Sequence, residues 1–108
     1  MRTSRPIILV EDPFIRSYLR FVLQRRGYSV VESDATRACE MANSDDGVVV
    51  ITNAPEQFLP CAEKLALVYI AAAPETELAA RFPMCRVLRK PFQPEELVKA
   101  VESLISAE

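Results

Sequence analysis

Five short apolar segments recur along the chain, and each is followed by a stretch whose apolar residues lie three and four positions apart. The segments have the length of buried strands, and the stretches have the periodicity of amphipathic helices. This alternation predicts an α/β fold with one parallel sheet, right-handed crossovers and helices on both faces. The fold class expected is a (βα)5, three-layer, doubly wound parallel sheet. The strands are expected at 7–10, 28–31, 48–52, 67–72 and 85–88.

Proline, glycine and capping residues predict where the helices begin and end. Asp12 and Pro13 suit the N-cap and first position of a helix that Gly27 ends. Its inward face is expected to carry Ile15, Tyr18, Leu19, Val22 and Leu23. The remaining helices are expected over 34–43, over 55–65 with a distortion at Pro60, from Pro74 to a stop at Pro83, and from Pro94 onward.

The length and composition narrow the possible functions. The 108 residues predict one domain over 1–108, with residues 1–5 disordered and with Asp45 and Asp46 in a turn. The absence of histidine excludes catalysis and metal binding that need an imidazole. Two isolated glycines exclude both a P-loop and a dinucleotide-binding loop. A formal charge of −2 gives no overall attraction to nucleic acid, so no nucleic-acid partner is expected.

The cysteines and the N-terminal segment predict a cytoplasmic protein. Cys39, Cys61 and Cys85 are widely spaced, form no CxxC pair and lie in apolar stretches, as free buried cysteines do. Free thiols suit a reducing compartment. Residues 1–5 are followed by only five clearly apolar positions, too few for a signal peptide or a membrane span. No membrane partner is therefore expected.

Polar residues follow several of the predicted strands. An open α/β sheet carries its site at the carboxyl ends of its strands. The residues expected at that edge are Glu11, Asp12, Thr52, Asn53, Ala71, Ala72 and Lys90.

The motifs at these positions resemble those of one signalling family. The acid pair in Ile8-Leu9-Val10-Glu11-Asp12, the Gly27-Tyr28 pair, and Lys90-Pro91-Phe92 followed by the helix start Gln93–Leu97 carry the likeness. Over essentially its full length the chain resembles the receiver domain of response regulators in two-component phosphorelay signalling. The resemblance implies the flavodoxin-like strand order 2-1-3-4-5 and a cis Lys90-Pro91 bond. It also implies an acid pair that holds Mg²⁺, an aspartate that accepts a phosphoryl group and a lysine that pairs with the phosphate.

Carried over by residue, the family's machinery is incomplete. Glu11 and Asp12 match the acid pair, as a weak or vestigial metal site, and Lys90 matches the lysine. The acceptor position falls on Asn53, or on Ile51 when counted back from Pro55. The switch positions, a hydroxyl after strand four and an aromatic on strand five, are Ala71 and Val87. The sequence thus predicts a pseudo-receiver without enzymatic activity, with no cofactor beyond a weakly held Mg²⁺.

Other interpretations of these residues stay open. Asp12 alone can cap the first helix while Lys90 pairs with Glu11 or Asp12 as a structural ion pair. The chain can also be a receiver that accepts phosphate by an unorthodox route, or an α/β domain that binds an anion or small molecule through Lys90.

The predicted contact surface is built by the fourth helix, strand five and the last helix. In receivers this surface mediates dimerisation and partner binding. Here it carries charges of both signs, which can pair across an interface. The expected partner is a protein, either a sensor kinase or another regulator, with a homodimer through this surface as a further expectation. The residues concerned are Arg81, Arg86, Arg89, Glu96 and Lys99.

Overall fold

A five-stranded sheet runs through the centre of the protein, whose structure is a computed structural model that describes residues 7–44 and 48–106. The predicted turn at Asp45 and Asp46 and the predicted disorder of residues 1–5 lie outside the described residues. The strands are β1 (Ile7–Val10), β2 (Val30–Glu32), β3 (Val48–Thr52), β4 (Leu65–Ala71) and β5 (Cys85–Arg89). The helices are α1 (Pro13–Arg25), α2 (Ala35–Ser44), α3 (Thr76–Ala79) and α4 (Pro94–Ser106), and a 3₁₀ segment spans Pro55–Lys64.

All neighbouring strands are parallel, and their order is β2-β1-β3-β4-β5, which confirms the predicted topology. Val10 of β1 lies beside Thr52 of β3, and Thr52 lies beside Tyr69 of β4. Ala71 of β4 lies beside Arg89 of β5. The carboxyl ends of these strands therefore meet at one edge of the sheet.

Two apolar clusters, one on each face of the sheet, make the predicted three layers. On one face Leu9 and Ile51 pack with buried side chains of α1 and α4. On the other face Ile8 and Val50 pack with Ala38 of α2 and with Phe58 of the 3₁₀ segment. Alternate residues of a strand point to opposite faces, so one run of apolar residues serves both clusters. β3 lies in the middle and is buried over all five of its residues.

The third connection differs from the α-helix expected over 55–65. It is a 3₁₀ segment with non-helical backbone at Cys61 (φ −122°, ψ 27°). Pro60 has no N–H to donate, and its ring crowds the preceding turn, so a continuous α-helix cannot pass through it. β4 consequently begins at Leu65, two residues earlier than predicted. The fourth helix is shorter than the stretch expected from Pro74 to Pro83, since it has only one turn, Thr76–Ala79.

The first helix begins and ends at the residues expected. Asp12 is extended (φ −62°, ψ 146°) and its carbonyl accepts the N–H of Arg16 at 2.9 Å, with Pro13 as the first helical residue. Gly27 has φ +87°, a left-handed conformation that glycine adopts without a steric penalty. The inward face is confirmed for Leu19, Val22 and Leu23. Tyr18 is exposed, so the prediction that it lies on the inward face is wrong.

The prediction that all three cysteines are free is wrong for two of them. Cys39 of α2 and Cys61 of the 3₁₀ segment form a disulfide, with Cα atoms 5.8 Å apart. Both elements cover the same face of the sheet, which is why residues 22 positions apart in sequence meet. Cys85 is a free thiol, and burial raises its pKa to about 11.

Among the described residues no helix has both the length and the apolar composition needed to cross a membrane.

We expect the Cys39–Cys61 disulfide to contribute about 3 kcal/mol to the free energy of unfolding, because it closes a loop of 22 residues in the unfolded chain. Urea unfolding with and without reductant measures this contribution, and Cys39→Ala/Cys61→Ala should match the reduced protein. Cys85→Ala serves as the control, since this variant keeps the disulfide and reductant should destabilise it as much as the wild type. A wild-type midpoint that reductant leaves unchanged would contradict the expectation.

Candidate functional site

Glu11 lies directly after β1 and is buried at the carboxyl edge of the sheet. Its Oε1 accepts the backbone N–H of Asp12 at 3.2 Å, whereas Oε2 has no hydrogen-bond partner among the described residues. Burial raises the pKa of Glu11, an effect larger than the lowering by the Asp12 N–H and by the charge of Lys90. The carboxyl edge of the sheet thus holds a buried carboxylate, one oxygen of which has no hydrogen-bond partner among the described residues.

Asp12 occupies the N-cap position, but its side chain makes no capping hydrogen bond. The prediction that Asp12 caps α1 is therefore confirmed for its backbone carbonyl, which accepts the N–H of Arg16. It is wrong for its carboxylate, which makes no capping hydrogen bond. That carboxylate is exposed beside Glu11, so two acidic side chains stand next to each other at the edge.

The end of β3 carries no acidic residue. Thr52 is buried, and its Oγ1 accepts the N–H of Ala54 at 3.0 Å. Asn53 follows it and is exposed, and extending the strand register by one residue puts Asn53 level with Glu11. Ile51, the alternative acceptor position, is fully buried in the core. The geometry therefore favours Asn53 as the residue that faces the edge.

The ends of β4 and β5 are joined by a hydrogen bond from the Lys90 N–H to the Ala71 carbonyl, at 3.0 Å. The Lys90-Pro91 bond is cis, as the resemblance implied. Ala71 has only a methyl group to offer a phosphate oxygen. Val87 is 44% exposed on β5 and has no aromatic ring.

The predicted ion pair between Lys90 and Glu11 or Asp12 is wrong. No described carboxylate lies within 4.0 Å of the Lys90 ammonium group, although its charge influences Glu11. The strand order explains this. β3 and β4 lie between β1 and β5, which puts the backbones of β1 and β5 roughly 14 Å apart.

The donor atoms at the edge suit a weakly held divalent cation. Mg²⁺ prefers oxygen ligands, and the unpartnered Oε2 of Glu11, the exposed carboxylate of Asp12 and the amide oxygen of Asn53 are of that kind. Across the described residues no group of three or more acidic, cysteine or histidine side chains gathers in one place. Two carboxylates without a third give such a site low affinity.

A shallow, open apolar depression of about 550 Å³ lies beside Lys90, and it was not predicted from the sequence. The spacing of apolar residues in α1 was visible, but periodicity alone did not show that the connection after β5 lies next to the helix. The depression is lined by Ile15, Tyr18, Ala72, Lys90, Pro91 and Phe92.

The predicted contact surface, formed by α3, β5 and α4, is exposed, but two of its charged side chains already form hydrogen bonds within the chain. Arg86 donates from Nε to Ser103 Oγ at 2.8 Å, which ties β5 to α4. Glu96 Oε1 accepts the N–H of Gln93 at 2.7 Å and so caps the start of α4. Arg81, Arg89 and Lys99 form no ion pair with other described residues.

Comparison with solved structures identifies the fold. The response regulator receiver protein from Sinorhizobium medicae WSM419 is 24% identical, with a TM-score of 0.74 over 96% of each chain. The chemotaxis response regulator CheY4 of Vibrio cholerae is 19% identical, with a TM-score of 0.72 over 94% of this chain and 99% of its own. The receiver domain of the sensor histidine kinase PA1611 from Pseudomonas aeruginosa PAO1, solved with a magnesium ion coordinated in its active site cleft, is 20% identical, with a TM-score of 0.72 over 96% of this chain and 99% of its own.

The chain therefore has the fold of a response-regulator receiver domain. No protein-family model and no curated protein matches its sequence.

We expect Glu11→Gln to raise the melting temperature at neutral pH. The raised pKa of Glu11 means that the folded state binds its proton more tightly than the unfolded state does. The resulting stabilisation is present below the ordinary pKa of 4.5 and is lost as the pH rises through the higher value of the folded state.

Thermal melts of both proteins from about pH 4 to about pH 8 test this. The advantage of Glu11→Gln should grow with pH, while Glu63→Gln, on the exposed side of the 3₁₀ segment, should show no such trend. A difference between Glu11→Gln and wild type that is independent of pH would contradict the expectation.

Proposed function

We propose that this chain is a receiver-like domain that acts in signal transduction as a phosphorylation-independent protein-interaction module. The observation that carries the proposal is the neutral Asn53 at the end of β3, level with Glu11. Phosphoryl transfer to a receiver-type edge needs a carboxylate nucleophile there, and an amide is not one. Ile51, the other acceptor position, is sealed in the core and offers no reactive atom.

The two positions that would respond to a bound phosphoryl group support the same conclusion. Ala71 has no hydroxyl to bind a phosphate oxygen, and Val87 has no ring to reorient. Lys90 remains half-buried beside the edge, where its charge can attract an anion. One substitution alone could leave a weakened switch, but here the nucleophile and both responding groups are replaced together. The domain is accordingly proposed to have no turnover and one fixed conformation.

The partner is proposed to be a protein, either a sensor kinase or another regulator, that contacts the α3–β5–α4 surface. β5 is an edge strand of the sheet, and α3 beside it has only one turn, so much of β5 is open to solvent. The free charges of Arg81, Arg89 and Lys99 on this surface suit an acidic partner. A cytoplasmic location is proposed from the kind of partner alone, since the Cys39–Cys61 disulfide removes the argument from free thiols.

Incubation with acetyl phosphate and Mg²⁺ tests the proposal, with intact mass spectrometry as the measurement. We expect no phosphate adduct, because the edge carries no carboxylate placed as an acceptor. A stoichiometric adduct on the wild-type chain would show that phosphate is accepted by another route and would overturn the proposal.

Asn53→Asp tests the position of Asn53. A third carboxylate beside Glu11 and Asp12 should raise Mg²⁺ affinity roughly tenfold, because each added ligand charge strengthens a divalent site. Titration calorimetry measures this. Asn43→Asp, at the far end of α2, adds the same charge away from the edge and should change nothing. Equal affinities for Asn53→Asp and wild type would mean that residue 53 does not face the acid pair.

A further inference from the structure

The two halves of the Cys39–Cys61 disulfide differ in exposure. Cys39 lies in the middle of α2 and is half-buried, whereas Cys61 is only 3% exposed. In thiol–disulfide exchange a thiolate attacks one sulfur of a disulfide and displaces the other, and access helps to decide which sulfur is attacked. An incoming thiolate therefore reaches the sulfur of Cys39 more readily than that of Cys61.

The neighbours of Cys39 along α2 leave this approach open. Side chains three and four positions away lie on the same side of a helix as the residue itself. For Cys39 these are Ala35, Thr36, Ala42 and Asn43. None of the four is bulky and none is charged, so α2 itself neither covers the sulfur nor repels an anionic reagent.

The sulfur of Cys61 has the surroundings of a good leaving group. Cys61 borders a polar cavity of about 350 Å³ that is also lined by Lys64 of the 3₁₀ segment and by Arg81. Glu63 contributes one negative charge to the lining, so positive charge prevails there. Nearby positive charge favours a thiolate over its thiol, and a thiolate that is stabilised in this way leaves a disulfide faster. The arrangement therefore favours the departure of Cys61 as the thiolate.

The third cysteine does not supply the nucleophile for such an exchange. Burial raises the pKa of Cys85 to about 11, so at neutral pH almost all of it is the neutral thiol. The thiolate, and not the thiol, is the nucleophile. The attacking thiolate must therefore come from outside the chain.

From these observations we propose that the Cys39–Cys61 disulfide is an exchange site for low-molecular-weight thiols, with Cys39 as the sulfur attacked and Cys61 as the leaving sulfur. A thiolate RS⁻ forms a bond to Sγ of Cys39 as the Sγ–Sγ bond breaks, and Cys61 leaves as a thiolate that takes a proton from water. A second RS⁻ then attacks the sulfur of the first, which gives RSSR and releases Cys39 as a thiolate. Two thiols are thus oxidised to one disulfide, and the protein disulfide is reduced to two thiols.

The exchange acts on one face of the sheet. The disulfide links α2 to the 3₁₀ segment, and its opening removes that link. These two elements cover the face opposite α1 and α4. The site is separate from the carboxyl edge that holds Asn53, and the inference does not depend on whether the edge accepts a phosphoryl group.

Incubation of the folded full chain with reduced glutathione, a thiol of this class, tests the inference. Samples are quenched with acid, free thiols are alkylated, and the modified peptides are identified by mass spectrometry. We expect the glutathione adduct on Cys39 and the alkyl group on Cys61. The rate of disulfide loss should rise in proportion to the glutathione concentration, because the external thiolate takes part in the exchange.

Lys64→Gln tests the leaving group. Removing this charge from the lining of the cavity should slow disulfide loss about threefold, because the Cys61 thiolate loses part of its stabilisation. Lys99→Gln on α4 removes the same charge away from the cavity and should leave the rate unchanged. Circular dichroism verifies that both variants fold.

Three outcomes would overturn the inference. The first is a glutathione adduct that is absent or lies on Cys61. The second is a rate that does not depend on glutathione concentration, as expected of a structural disulfide that reacts only after the chain has unfolded. The third is an equal rate for Lys64→Gln and the wild type.

Discussion

The burial of β3 between β1 and β4 is the constraint on which the rest of the structure depends. All five residues of β3 are buried, and its side chains enter both apolar clusters. A shift of its register by one residue would turn every side chain to the opposite face. The pairing of Val10 with Thr52 is therefore fixed by packing, and with it the level at which Glu11 and Asn53 stand.

This dependence explains which parts of the fold could be predicted from the sequence. Val48–Thr52 is recognisable because a strand buried on both faces needs apolar or small side chains throughout. α4 is recognisable because Pro94 and Glu96 signal its start locally. The order of the strands came from the resemblance, since alternation alone leaves several orders possible.

The wrong predictions have a common physical origin in long-range contacts. The Cys39–Cys61 disulfide depends on α2 and the 3₁₀ segment covering the same sheet face, which no spacing reveals. The ion pair of Lys90 with Glu11 fails because two strands lie between them, a separation already contained in the order 2-1-3-4-5. Tyr18 belongs to the apolar periodicity of α1 but lies at the margin of its buried face, where periodicity cannot decide exposure. The site residues at strand ends were easier to find because topology alone brings such ends together.

The carboxyl edge of the sheet combines a buried acid, an exposed acid and a half-buried lysine. Lys90 is still held to Ala71 by a backbone hydrogen bond, and Glu11 is still buried with an oxygen that no described group satisfies. The burial of Glu11 costs stability at neutral pH, because a buried carboxylate resists ionisation. Replacing Asn53 with an acid would add repulsion to this edge, whereas the amide adds none. Because Asn53 is neutral, it adds no repulsion to an edge that already holds the carboxyl groups of Glu11 and Asp12.

α1 connects the carboxyl edge of the sheet to an exposed aromatic surface on the outside of the protein. α1 begins at the acid pair, and Leu19 and Leu23 anchor it in the core, so its outer face cannot shift independently of the sheet. Phe92 lines the apolar depression and belongs to the connection that follows Lys90, so this depression lies next to the carboxyl edge of the sheet.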